Sequence, residues 1–258
     1  MEKRIYMLLT VLSVILCLFG AVSAAEQGTG VLDLVKQSTV MISSGDPVEK
    51  GWGSGFFING EHVITNHHVI SPYLEDGTAG GKGWWVSAIN TTVRVYYSYL
   101  ANDFVYGIVM YDWPEVDLAV IQVAPGYVKR LPLKFLSADK VSSGMEVYAI
   151  GFPAVNYSGV LELSEPSLAD GIISNISTAS ISNDAAALGL AAEVNYQRLS
   201  VTAVINQGNS GGPIVDRRGN LVGIANAEVR DNGAVASFGI HVRELINRLN
   251  YAGIRYLQ

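Results

Sequence analysis

Between Thr39 and Val242 the chain reads as short apolar and β-branched runs, interrupted by Gly, Asn, Asp and Ser. Such runs bounded by turn residues predict strands. The first is Thr39–Ile42, followed by a turn over Ser43–Lys50. Phe56-Phe57-Ile58 and Val63-Ile64-Thr65 flank Asn59-Gly60, a pair suited to the positive φ of a hairpin turn. Further strands are expected at Trp84–Val86, Val93–Tyr99 and Phe104–Tyr111, then at Asp117–Val123, which is nearly all apolar with an acid at its head. Pro125–Pro132 reads as a crossing linker to a second set: Met145–Ile150, Leu161–Leu163, Gly171–Ile176, Leu199–Ile205, the hairpin Ile214-Val215 / Leu221–Ile224, and Ala234–Val242. Helical spacing occurs only at the two ends, over Val31–Gln37 and Glu244–Leu249. Ala-rich Asn183–Glu193 fits either a loop or one helical turn, and Ser71–Gly83 a long polar loop. Many short strands with helices only at the ends predict closed or sandwiched β-sheet.

The first residues follow a different pattern. Lys3 and Arg4 precede the apolar run Leu8–Phe19, and Val22-Ser23-Ala24 supplies small residues before Ala25. That is the pattern of a secretory signal over residues 1–24, the alternative being an uncleaved membrane anchor. The only cysteine, Cys17, lies inside this segment behind bulky Leu16, which argues against lipidation. Without it the chain has no thiol for disulfides, nucleophilic chemistry or cysteine-built metal sites. The expectation is a secreted or otherwise extracytoplasmic protein, held together by its core. Three sequons (Asn90, Asn156, Asn175) permit glycosylation where a host performs it. At 258 residues and 49% hydrophobic, the chain can bury a sizeable core as one or two domains. A net charge of −6 with no basic run argues against a nucleic-acid partner. There is no metal-ligand spacing, and nothing calls for a cofactor.

The candidate chemistry centres on Gly208-Asn209-Ser210-Gly211-Gly212-Pro213. A serine becomes a useful nucleophile only when a base takes its proton and donors stabilise the oxyanion formed. In this loop Gly208 can reach conformations closed to other residues. The N–H groups of Gly208 and Ser210 can then converge beside the Ser210 hydroxyl, with Asn209 between them. A Gly-rich loop alone is usually an ordinary turn, so the case depends on a base and an orienting acid. Of the histidines His62, His67, His68 and His241, His68 follows a buried-looking strand at the start of a loop, where a base can face a cleft. Its neighbour His67 is expected to point the other way. Among Asp103, Asp112, Glu115 and Asp117, only Asp117 directly opens an apolar strand, where a carboxylate needs a partner. It can hold an imidazole in the required tautomer.

His68, Asp117 and Ser210 then stand in the chain order of chymotrypsin-like proteases. Thr65–Ile70, Asp117–Ile121, Ala149–Pro153, Gly171–Ser174 and Gly208–Pro213, with Gly53–Phe56 upstream, resemble the HtrA/Deg family of trypsin-like serine proteases. The resemblance implies an all-β fold of two six-stranded antiparallel barrels with short terminal helices. The first barrel would span about 30–130, the second about 140–243, and a helix about 243–251, all within a protease domain at 25–258. It also implies His68 as general base, Asp117 as its orienter, Ser210 as nucleophile and the Gly208–Ser210 loop as oxyanion hole. Asn226 matches the position that supports the buried acid, and the edge from Ala225 to Glu228, with Ala227 in it, would pair with substrate backbone.

By spacing from Ser210, the primary pocket is expected to be lined by Val204, Ile205, Ala225 and Ser237. None is acidic, so small or medium apolar side chains are the expected substrates. Partners would be protein or peptide substrates, with a membrane only through an uncleaved signal; trimers occur among relatives and are one option here. The sequence departs from the family at Thr202, where Asp is usual, and at Gln207, where Pro is common. The chain also ends sixteen residues after Val242, leaving no room in it for a PDZ domain. Two readings follow: an exported endopeptidase for unfolded or damaged proteins, or a silent, zymogen-like binding protein on the same fold.

Overall fold

The computed structural model describes residues 30–45, 47, 51–71, 73–74, 84–85, 87–97, 103–126, 130–153, 165–181, 194–231 and 234–258. The expected signal segment over residues 1–24, Leu161–Leu163, Asn183–Glu193 and most of the Ser71–Gly83 loop lie outside the described residues.

A helix over residues 30–38 (α1) precedes a first closed barrel. Its strands are β1 (Thr39–Ser43), β2 (Gly53–Phe57), β3 (His62–Thr65), β6 (Thr92–Tyr96), β7 (Phe104–Trp113) and β8 (Leu118–Val123). They close antiparallel in the order β1-β2-β3-β8-β7-β6. The short strands β4 (Tyr73–Leu74) and β5 (Trp84–Trp85) pair separately. The second barrel comprises β9 (Glu146–Gly151), β10 (Ser167–Ile181), β11 (Val194–Val201), β12 (Pro213–Asp216), β13 (Leu221–Asp231) and β14 (Ala234–His241), closed as β10-β11-β14-β13-β12-β9. The expected fold of two six-stranded antiparallel barrels is the one found.

Strand β8 explains its own continuous apolar run. Side chains on a strand alternate between faces. Ala119, Ile121 and Val123 fill the interior of the first barrel with Val40, Ile42 and Val63. Leu118 and Val120 face the other way, joining Phe56 and Ile64 in one cluster with Ile150, Ile214 and Ile224 of the second barrel. Both faces are buried as far as Ile121, so the run stays apolar until Gln122, which is partly exposed. This shared face fixes β3 and β8 against the second barrel, where the site lies.

Helix α3 (Val242–Ala252) runs beyond the predicted Glu244–Leu249 at both ends. His241 caps its start, Nδ1 accepting from Arg243 N at 3.0 Å, and Gly253 at φ +70° closes its end. Arg248 on this helix bonds Glu244 Oε2 at 3.1 Å and Glu115 Oε1 at 3.2 Å. Glu115 belongs to the 3-10 turn Pro114–Val116 that delivers Asp117, so the terminal helix steadies the site from behind.

Other boundaries moved for identifiable reasons. The run Leu199–Ile205 leaves the sheet at Val201. There Thr202 donates its N–H to Ile172 O (3.0 Å) and accepts Ile172 N–H on Oγ1 (2.9 Å), ending the ladder. Strand β10 covers 15 residues, and its Gly, Ser and Asn positions hid that length from the sequence pattern. Strand β13 continues past Ala225 to Asp231 because a bulge at Asn226 absorbs one residue: Ala225 pairs Gly239 and Ala227 pairs Phe238.

Candidate active site

His68 does not sit in a loop, as its sequence context predicts, but in a single helical turn, α2 (His67–Ile70), directly after β3. The turn aims its ring at Asp117. Nδ1 of His68 lies 2.7 Å from Asp117 Oδ2, and His68 N–H donates to Oδ1 at 2.9 Å. Asp117 ends the 3-10 turn in a left-handed conformation, φ 57° and ψ 46°, which Asp tolerates better than most residues. Asn66 Nδ2 donates to its main-chain carbonyl at 2.8 Å. A third donor to the carboxylate crosses from the second barrel: Asn226 Nδ2 to Oδ2, 2.8 Å. The bulge at Asn226 frees this side chain from the sheet's alternation. His68 and Asp117 side chains keep 32% and 20% exposure, so the ring is partly exposed while the carboxylate beside it is held. Burial disfavours the His68 imidazolium, but the charge of Asp117 and its hydrogen bond outweigh that, and the pKa lies above 6.5.

Ser210 approaches from the opposite barrel, just ahead of β12. Its hydroxyl donates to the main-chain oxygen of Asn226 at 2.7 Å rather than to His68. The loop before it is a turn in which Asn209 N–H bonds Asn206 O (3.0 Å) and Gly208 holds φ +91° at the third position, as in a type II turn. Among the described residues, neither Gly208 N–H nor Ser210 N–H has an acceptor. Two free amide donors beside a serine hydroxyl can hold an oxyanion.

What fastens this loop is a residue sequence reasoning passed over except as part of a motif. Ser54 of β2 donates Oγ–H to Gly208 O (2.8 Å) and accepts Phe152 N–H (2.9 Å), and its own N–H donates to Ser210 O (2.7 Å). A Cβ on Gly211, at φ +85°, would lie 2.2 Å from Ser54 O, so only glycine permits this approach. The signal was the small-residue spacing of Gly53-Ser54-Gly55, opposite a loop that is itself mostly Gly. Thr202, one of the two departures from the family pattern, is engaged with Ile172.

Of the expected pocket residues, Ile205, Ala225 and Ser237 are buried and Val204 is half-exposed. Ser237 Oγ accepts Ile205 N–H at 3.1 Å, tying the segment after β11 to β14. Asn226 joins the His68–Asp117 group, and Ala227 takes its place opposite Phe238 in the β13–β14 ladder. Among the described residues, no group of three or more His, Cys, Asp or Glu could hold a metal ion.

The chain is also similar to known proteins. The trypsin-like peptidase domain matches residues 53–224, from β2 to β13. The chain belongs to the trypsin-like peptidase family. Within it the relatives are of HtrA/Deg type. The chain is 27% identical over 214 residues to serine protease Do-like HtrA of Bacillus subtilis, covering 79% of this chain and 40% of that protein. It is 26% identical over 195 residues to the chloroplastic Protease Do-like 5 of Arabidopsis thaliana, covering 74% and 53%. The chain thus spans about half or less of these relatives' length. Among solved structures, the active form of the Rv3671c protease from M. tuberculosis superposes with a TM-score of 0.63 at 24% identity, covering 88% of this chain and 86% of that one. That likeness speaks for the fold.

Proposed function

We propose that this protein is an exported serine endopeptidase, with Ser210 as nucleophile, His68 as general base and Asp117 as its orienter. The observation that carries the reading is the carboxylate of Asp117. It is held at once by His68 from one barrel and Asn226 from the other, beside a serine with two unengaged amides. In the reaction, Ser210 Oγ turns from Asn226 O toward His68 Nε2 and attacks the substrate carbonyl carbon while its proton passes to Nε2. The oxyanion rests on the Gly208 and Ser210 N–H groups. His68 returns the proton to the leaving amine, giving an acyl-enzyme. Water, deprotonated by the same ring, then releases the acid and restores the Ser210 hydroxyl.

Val204, Ile205, Ala225 and Ser237 offer no carboxylate to a basic side chain, which favours small or medium apolar residues before the scissile bond. The edge from Ala225 to Glu228 would pair with an extended, unfolded segment, in keeping with unfolded or damaged proteins as substrates. The relatives include a protein described as a probable periplasmic serine endoprotease in Chlamydia trachomatis, which supports an extracytoplasmic location. No helix among the described residues is long and apolar enough to cross a membrane.

A second reading rests on the Ser210–Asn226 bond. If that bond is never exchanged for His68, the protein is a binding module on a protease fold. Labelling residues 25–258 with a fluorophosphonate probe, beside Ser210→Ala and His68→Ala, separates the two. Labelling confined to the parent supports the endopeptidase; none, even with unfolded protein added, supports the binding module.

A further inference from the structure

Beside the His68–Asp117 pair the structure holds a second one. His67 Nδ1 lies 2.5 Å from Asp112 Oδ1, and Asp112 Oδ2 accepts Ala88 N–H at 2.8 Å. These side chains are 4% and 0% exposed, against 32% and 20% for the neighbouring pair. The proposed reaction uses neither. We infer that His67 is a positioning residue, whose buried bond to Asp112 sets the direction in which α2 presents the His68 ring. The inference rests on the reading of His68 as general base.

The need for such a device is local. A four-residue helix cannot hold itself, because nucleation is unfavourable and α2 makes too few hydrogen bonds to offset it. Asn66 at its N-cap makes no side-chain cap: its Nδ2 donates to Asp117 O, and its buried Oδ1 accepts nothing among the described residues. Something outside α2 must fix its rotation.

The two acids lie on one structural corner. Asp112 is the penultimate residue of β7, paired with Ala119 of β8, and Asp117 immediately precedes β8. Between them is only Trp113 and the 3-10 turn Pro114–Val116, braced by the stack of Trp113 on Tyr111 and by Arg248 on Glu115. A bulge at Met110 in β7 shifts the register just before Asp112. Consecutive side chains on a helical turn point roughly 100° apart, so His67 and His68 can reach the two acids on different sides. The ring and main chain of His68 tie α2 to Asp117 alone, and the His67–Asp112 bond adds a second anchor on the same corner that limits rotation about the first. An apolar pair would fill the same buried space with less desolvation. What the polar pair adds is direction.

The test follows His68 itself as well as the rate. In a Ser210→Ala background, ¹⁵N-imidazole NMR would record the His68 titration in the parent and in His67→Phe, His67→Gln and Asp112→Asn. Phe fills the space without a donor; Gln keeps an N–H for Asp112. With Ser210 present, peptide cleavage gives kcat and KM for the same set. Positioning predicts that His67→Phe and Asp112→Asn shift the His68 midpoint toward 6.5 and lower kcat at least about tenfold with KM within about twofold, as small misplacements do. His67→Gln should restore most of both. If His67→Phe does not fold, Asp112→Asn, of nearly the same volume, carries the same comparison. A folded variant without the His67–Asp112 bond whose His68 titration and kcat match the parent's overturns the inference. A parent that cleaves nothing, but whose His68 midpoint moves with His67, overturns the endopeptidase reading and leaves the positioning role standing.

Discussion

The hydroxyl of Ser210 donates to the main-chain oxygen of Asn226, and the side chain of the same Asn226 donates to Asp117. One bulged residue thus touches the proposed nucleophile with its backbone and the proposed orienting acid with its amide. Changing Asn226 to Ala keeps the backbone contact and removes one of three donors to the Asp117 carboxylate. The expected result is a fall in kcat/KM of about tenfold, the scale of one charge-assisted hydrogen bond, with kcat carrying most of it. Steady-state kinetics on a peptide substrate would check it.

Ser54→Ala should act on the proposed oxyanion loop without touching His68, Asp117 or the Ser210 side chain. It leaves Gly208 O and Phe152 N–H without their buried partner, at a cost of about 1–3 kcal/mol. Urea unfolding should show that loss. Fluorophosphonate labelling should slow as well, since Gly208 N–H is no longer held in place. A variant that is destabilised but labels at the parental rate would show that the loop keeps its form without Ser54.

The pH dependence of cleavage follows from His68. Only its neutral form accepts the Ser210 proton. Although burial works against its charged form, Asp117 lifts its pKa above 6.5, so kcat/KM should rise with pH through a midpoint above that value. The sign for stability is the reverse. The charged pair's contribution is fully present below 6.5 and is lost as pH rises through the folded-state pKa. A rate profile with its midpoint below 6.5 would contradict this account.

His241 gives the opposite dependence. It is buried, accepts a backbone N–H at the start of α3, and its pKa is lowered to about 4 by burial and by Arg243. The neutral ring is the one that fits. Stability from this group is present above about 6.5 and is lost as pH falls toward 4, up to about 3 kcal/mol. His241→Asn keeps a cap acceptor that does not titrate, and should flatten thermal stability between those pH values.

The sequence by itself determined much of this protein. Apolar runs broken by turn residues gave strands at nearly the observed positions, because a strand buried on both faces over most of its length, such as β8, is almost wholly apolar. The chain order of His68, Asp117 and Ser210 marked the residues that the fold brings together from two barrels. Tertiary structure decided what lies across gaps in sequence. The bulge that turns Asn226 onto Asp117 depends on pairing with β14, and the hold of Ser54 on Gly208 joins residues 154 positions apart. His67 shows the limit most plainly. Its neighbour's role follows from a motif, but its own depends on Asp112, and a histidine's worth is set by the partner that burial supplies. That pairing exists only once β7 and β8 have closed the first barrel around it.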